Sequence, residues 1–198
     1  MAGLTACATM INYLPTSCLT TSGGISKLWV FDATLVDFTQ AAPVGGVVQP
    51  YTAVTNLLGA GLPLYQIGFE RMSAEYSFTL KNDDGVAVGY SHEVMFSVPR
   101  NDMKASQWAQ LINIMGLCCG IGIVFVDNNN IINIMGESSV NASPLSPIFY
   151  TWQDGTKGNT GKKATDKNTV NVVLKSCEYP RPLIQYTGAL STIVALSN

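Results

Sequence analysis

The regular stretches of this chain mostly alternate between apolar and polar positions. "ISKLWVFDA", residues 25–33, sets Ile25, Lys27, Trp29 and Phe31 on one face of a strand and Leu28 and Val30 on the other. Apolar groups on both faces predict a strand covered on both sides. "FERMSAEYSFTLK", residues 69–81, alternates from Glu75 to Leu80 and runs into the turn signal "NDDG". "VGYSHEVMFSVP", residues 88–99, alternates again, with Tyr90, His92, Val94 and Phe96 on one face. Strands at this spacing predict an antiparallel sheet. "IGIVFVDNNNIINIMGE", residues 121–137, predicts strand, tight turn, strand, with Asp127 to Asn130 as the turn. Asn and Asp tolerate positive φ there and bond their own backbone. "SPIFYTWQD" and "NTVNVVLKSCEYP" predict a further pair, and the tail "PLIQYTGALSTIVALSN" another strand or an ordered arm.

Only one stretch has helical spacing. "NDMKASQWAQLINIMG" follows Pro99, offers Asn101 or Asp102 as N-cap and closes at Gly116. Trp108, Leu111, Ile112 and Met115 form a single apolar stripe, which reads as a core-facing surface. Two segments fit neither period. Residues 1–24 are small and polar, with Pro15 and Gly23-Gly24. Residues 38–68 carry Pro43, Pro50, Pro63 and many glycines, yet keep Val, Leu, Tyr and Ile. A loop of that length is uncommon inside a domain, and this one is too apolar for a solvated linker. It is expected to be an extension, hairpin or otherwise, that packs on a neighbouring subunit. The subunit-interface candidates are Leu14, Leu19, Val47, Val48, Tyr51, Leu57, Leu58, Leu62, Leu64 and Tyr65. Deleting residues 43–62 is expected to leave a folded subunit that no longer stacks. The predicted fold is therefore mainly β. It is a single domain, an antiparallel β-sandwich or barrel over 69–182 with one flanking helix over 102–115. Arms extend over 1–24 and 183–198, and the insertion covers 38–68.

Composition sharpens the assembly reading. Charged residues are 12% of the chain, about half the usual share of roughly 25%. A surface so poor in charge is expected to be hidden against copies of itself or other proteins. A net charge of -2 argues against a dedicated nucleic-acid grip, which needs a basic stripe. The longest apolar runs, such as Ile121 to Val126, are far shorter than the roughly 18 residues of a membrane helix. The N-terminus lacks a basic region of the signal-peptide kind, so a cytosolic origin is expected. The cysteines, Cys7, Cys18, Cys118, Cys119 and Cys177, show no C-x2-C spacing and read as reduced, buried thiols rather than metal ligands.

One stretch invites a chemical reading. "DGTKGNTGKKAT", residues 154–165, is glycine-rich and contains Gly161-Lys162. A phosphate loop requires G-x4-G-K-[ST] ahead of a helix. Here Gly155 to Gly161 encloses five residues, Lys162 is followed by Lys163, and strand-like sequence follows. The stretch reads as a hairpin loop with a local basic spot. His92 is the single histidine, and its neighbours Ser91 and Glu93 point to the opposite face of a strand. No catalytic residue, cofactor or metal site is expected, and the chain is read as a non-enzyme.

The order of these pieces resembles the tail tube proteins of tailed bacteriophages. It runs from "SGGISKLWVFDA" through "GYSHEVMFSVPR", the capped helix and "IGIVFVDNNNIINIMGE" to "TVNVVLKSCEYPRPL". The resemblance is one of layout over residues 22–182 and includes no catalytic motif. It implies a virion structural protein whose subunits form hexameric rings. These would stack into a tube that lets DNA pass without gripping it, beside other tail proteins and no membrane. Assembly would take place in the host cytoplasm. The alternatives from the residues are another structural protein of the particle, a capsid decoration or head–tail connector, or a soluble β-sandwich binding module. The module reading would need Trp29, Trp108, Trp152 and the tyrosines as a stacking platform.

Overall fold

The computed structural model describes residues 23–32, 34–40, 49–57, 59, 61–83, 86–99, 121–136, 149–150, 157–159, 169–176 and 184–197. They form a mainly β fold built on one curled, twelve-stranded sheet. The strands are β1 (Ile25–Asp32), β2 (Val36–Gln40), β3 (Tyr51–Asn56), β4 (Leu64–Ile67), β5 (Glu75–Asp83) and β6 (Val86–Pro99). They continue with β7 (Ile121–Asp127), β8 (Ile132–Met135), β9 (Phe149–Tyr150), β10 (Lys157–Asn159), β11 (Thr169–Ser176) and β12 (Ile184–Tyr186). A short helix, α1 (Leu190–Ala195), lies close to the end of the described chain. The main path runs β2-β3-β12-β8-β7-β9-β11-β6-β5, and β1 joins β7 to β4. Among the described residues the pairings are antiparallel except the contact of Tyr186 with Tyr51 and an isolated bridge between Leu64 and Ser197.

Strands β1 and β7 lie at the centre because their sequences are apolar at consecutive positions. Antiparallel pairing of β1 with β7 sets Leu28 opposite Phe125 and Phe31 opposite Gly122. On one side, Leu28, Val30, Ile123 and Phe125 pack against Val94, Phe96 and Val98 of β6 and Val170, Val172 and Leu174 of β11. On the other side, Trp29, Phe31, Val124 and Val126 pack against Phe38 of β2, Tyr51 of β3, Tyr186 of β12 and Ile193 of α1. Each fully buried side chain of this size contributes about 1.5–3 kcal/mol of transfer free energy.

The two-sided reading of β1 stands, with one exception. A register shift between Ile25 and Lys27 adds a residue to β1. Such a bulge reverses the alternation on its far side. Ile25 consequently joins Leu28 and Val30 in the first cluster rather than Trp29 and Phe31 in the second.

The predicted turn after β7 is present. The Asp127 carboxylate accepts hydrogen bonds from the backbone N–H of Asn129 and of Ile131, both at 2.8 Å. Asn130 takes the positive φ of 63°.

The predicted extension over 38–68 is corrected where it is described. It supplies the end of β2 and all of β3 and β4, hydrogen-bonded into the sheet. Pro50, Gly59, Gly61, Pro63 and Gly68 lie between or beside its short strands instead of loosening one long loop. Tyr51 and Leu64 are fully buried. Removing residues 43–62 would take β3 and Tyr51 out of the second cluster, so a folded remainder is no longer expected. The tail provides both a strand, β12, and α1. The helix predicted over 102–115 lies outside the described residues, and so does the predicted arm over 1–24 except for residues 23 and 24.

Candidate assembly surfaces

The ten predicted interface residues separate by burial. Tyr51 and Leu64 belong to the second cluster. The Tyr51 ring lies 5.5 Å from Phe38, and its carbonyl accepts the Thr187 N–H at 2.9 Å. These two side chains build the subunit and present nothing to a neighbour. Tyr65 is partly buried against the first cluster. Leu57 and Leu62 are exposed, at 47% and 38%. They flank the β3–β4 connection, where Asn56 Nδ2 donates to the Gly61 carbonyl at 2.9 Å. Leu14, Leu19, Val47, Val48 and Leu58 lie outside the described residues.

A further exposed apolar surface lies on a hairpin outside the predicted interface residues. Strands β5 and β6 pair from Glu75↔Met95 to Asp83↔Val86. Near Val94 to Val98 the inner face of β6 is covered by β1 and β7. Towards the hairpin tip that cover ends. Tyr76 still reaches Phe125, 5.4 Å between ring centroids. Beyond it, Phe78 is 57% and Leu80 44% exposed. Tyr76, Phe78, Tyr90 and His92 form a continuous ladder, with successive rings 5.8–6.4 Å apart. Among the described residues β5 pairs with β6 alone and forms one end of the sheet. The alternation of Tyr76, Phe78 and Leu80 was visible in the sequence. Alternation marks which residues share a face, but not how far the opposing layer extends.

His92 is buried within this ladder. Its Nδ1 lies 2.8 Å from the Tyr76 hydroxyl, and its backbone N–H donates to Ser176 Oγ at 3.0 Å. Burial raises the Tyr76 hydroxyl well above its ordinary value of 10, so it keeps its proton and can donate to the ring. Both groups thus act in packing and hydrogen bonding. On the outer face, Lys175 and Glu93 are directly opposite across β11 and β6 and form an ion pair at 3.0 Å.

A second feature lies at the start of β5. The turn from Glu70 to Ser73 closes through the Ser73 N–H donating to the Glu70 carbonyl at 3.0 Å. Ser73 Oγ accepts the Ser97 N–H at 3.1 Å and so ties the turn to β6. Met72, at its tip, has φ of 62° and is 91% exposed. That conformation costs a non-glycine residue of order 1 kcal/mol. Beside it runs an open groove of about 910 Å³, lined by Lys27, Gln66, Arg71, Met72, Glu75 and Asn128. Its charges are of both signs, so it selects neither anions nor cations.

Little of the chemistry weighed from the sequence falls on described residues. Of "DGTKGNTGKKAT", Lys157–Asn159 is strand β10, paired antiparallel with β11. Trp29, a proposed stacking residue, is fully buried, and among the described residues no acceptor reaches its indole N–H. No group of three or more His, Cys, Asp or Glu is placed to hold a metal ion among the described residues, which contain none of the cysteines. No helix among them is long and apolar enough to cross a membrane. No known protein family, curated protein or solved structure matches this chain.

Proposed function

We propose that this chain is a structural subunit that assembles with copies of itself, of the kind that stacks rings into the tail tube of a phage. The observation that carries the reading is the β5–β6 hairpin. Among the described residues its strand β5 ends the sheet with one open edge, and its inner face continues the core as exposed Phe78 and Leu80. An open edge of this sort invites pairing with another chain unless it is blunted or covered. The low share of charged residues, 12%, is consistent with a surface meant to be covered. Exposed Leu57 and Leu62 lie on the separate β3–β4 connection. A second apolar contact point is what heterologous ring closure or stacking requires. In this reading the assembly is hexameric rings in a virion tail, and its working is geometric. The subunits enclose a channel for DNA and do not hold it.

Negative-stain electron microscopy of the purified chain, with its mass in solution, tests the proposal. Stacked rings with a central channel are the expected result. A particle-bound protein without rings would instead make it a decoration or connector protein. A monomer that retains glycans would make it a binding module.

A further inference from the structure

The outer edge of β5 has a property that goes beyond ring formation. Read from residue 75 to residue 81, its sequence is Glu-Tyr-Ser-Phe-Thr-Leu-Lys. An acid begins it and a base ends it. Tyr and Leu come next inward, then the two small hydroxyl residues, with Phe78 at the middle. Reversed end for end, the strand is chemically complementary to itself.

We infer that β5 pairs antiparallel with β5 of a second copy, about a two-fold axis at Phe78. In this register Glu75 stands opposite the partner's Lys81, Tyr76 opposite the partner's Leu80, and Ser77 opposite the partner's Thr79. Phe78 stands opposite the partner's Phe78. Side chains alternate across a strand, so positions 76, 78 and 80 fall on one face and 75, 77 and 79 on the other. A two-fold axis perpendicular to the sheet keeps the apolar rows of both copies on the same side. The row that overhangs the core in one copy is then continued by its counterpart, and the edge backbone groups, which pair with nothing among the described residues, find partners.

The charges select this register over its neighbours. The symmetry allows only shifts that keep the apolar faces together, so the axis moves by one residue along the strand at a time. Centred on Ser77, Glu75 would meet Thr79 and lose its counter-charge. Centred on Thr79, Glu75 would meet Asp83, and like charges directly opposite destabilise a sheet. Centred on Phe78, the ion pair occurs twice by symmetry. Glu75 and Phe78 are exposed in the single chain and so are available for this contact. An isologous contact of this kind closes on itself and makes a dimer, so the heterologous contacts that rings need fall to other surfaces, such as exposed Leu57 and Leu62. The two modes are therefore separable.

Variants that each add one cysteine, at residue 77, 78 or 79, to the five of the parent chain test the register. Each is oxidised in parallel with the parent chain, and the linkages are mapped by peptide mass spectrometry. Directly opposed residues in an antiparallel pair have Cα atoms about 4.5–5.5 Å apart, within disulfide reach. Phe78→Cys is expected to give a 78–78 disulfide, while Ser77→Cys and Thr79→Cys give none with themselves. Linkage at 77 or 79 instead, or at none of the three, overturns the inference. A charge swap tests it without a cysteine. Glu75→Lys is expected to weaken the dimer about tenfold in sedimentation or light scattering, because two ion pairs become two repulsions. Adding Lys81→Glu to that variant is expected to restore it. A dimer indifferent to Glu75→Lys, or no restoration in the double variant, overturns the inference. Rings in the microscope without the 78–78 linkage would defeat this pairing and leave the ring reading intact. The linkage without rings would do the reverse.

Discussion

Gly122 is the position where adding one methyl group has the most calculable consequence. It stands directly opposite Phe31 in the β1–β7 pairing, and the Phe31 ring lies over it. A Cβ at residue 122 would fall 2.0, 2.2 and 2.6 Å from three carbons of that ring. Ordinary carbon contacts are about 3.5–4.0 Å, so the ring would have to move by roughly 1.5–2 Å. It has nowhere easy to go. Phe31 is fully buried, edge-on to Phe38 with centroids 5.5 Å apart, and Phe38 in turn leans on Tyr51 at 5.5 Å. Either the whole stack shifts or β1 parts from β7. Overpacking of this kind costs about 1–3 kcal/mol, and complete expulsion of the ring about as much as Phe→Ala, roughly 3–5 kcal/mol. Gly122→Ala is thus expected to destabilise by about 3 kcal/mol. Replacing a strand glycine normally helps by about 0.5–1 kcal/mol, so even the sign is diagnostic. Urea unfolding followed by circular dichroism and tryptophan fluorescence measures it. Phe31→Ala alone should cost about 3–5 kcal/mol, and the double variant clearly less than the sum, because the new methyl enters the vacated space. A neutral or stabilising Gly122→Ala, or strict additivity with Phe31→Ala, would refute the ring-over-glycine argument.

Three further outcomes are expected. Gly136→Ala should do more damage than Gly122→Ala. Residue 136 has φ of 104°, and its Cβ would meet the Gly122 Cα at 2.1 Å, where backbone rather than a side chain must yield. Soluble yield and the circular dichroism spectrum would report it, and a native-like variant would contradict it. Tyr76 resists ionisation in the folded chain, so between its ordinary value of 10 and its higher folded value the unfolded chain binds fewer protons. Stability is therefore full below pH 10 and falls as pH rises past it. Tyr76→Phe should flatten this fall by at most about 1 kcal/mol per pH unit, since the ring is partly open to solvent, as read from urea midpoints at pH 9 and pH 11. Finally, Leu57→Ser with Leu62→Ser should leave the unfolding midpoint within about 0.5 kcal/mol of the parent chain, as expected of exposed sites. The same variant should reduce assembled particles counted by microscopy, and unchanged assembly would remove these residues from the interface.

Local pattern was enough for some of this protein. The alternation in β6, the doubly apolar runs of β1 and β7, and the Asp-Asn-Asn-Asn turn with its positive φ at Asn130 all follow from neighbouring residues. Each depends on side-chain period or on a short side chain bonding its own backbone. Within 38–68, prolines and glycines obscured three short strands. Their burial comes from partners such as Tyr186 and Leu28, far away along the chain, and no local period records that. The bulge that turns Ile25 to the other cluster involves β7, about a hundred residues on, with Ser26 Oγ bonded to the Val126 carbonyl at 3.0 Å. The same applies to the candidate surface. Sequence alternation placed Tyr76, Phe78 and Leu80 on one face of β5, because the strand period is two. Only the tertiary structure decided that Tyr76 is partly covered while Phe78 stays exposed. That depends on where the β1–β7 layer ends beneath the hairpin, and the end of a layer is set by long-range pairing rather than by the strand that overhangs it.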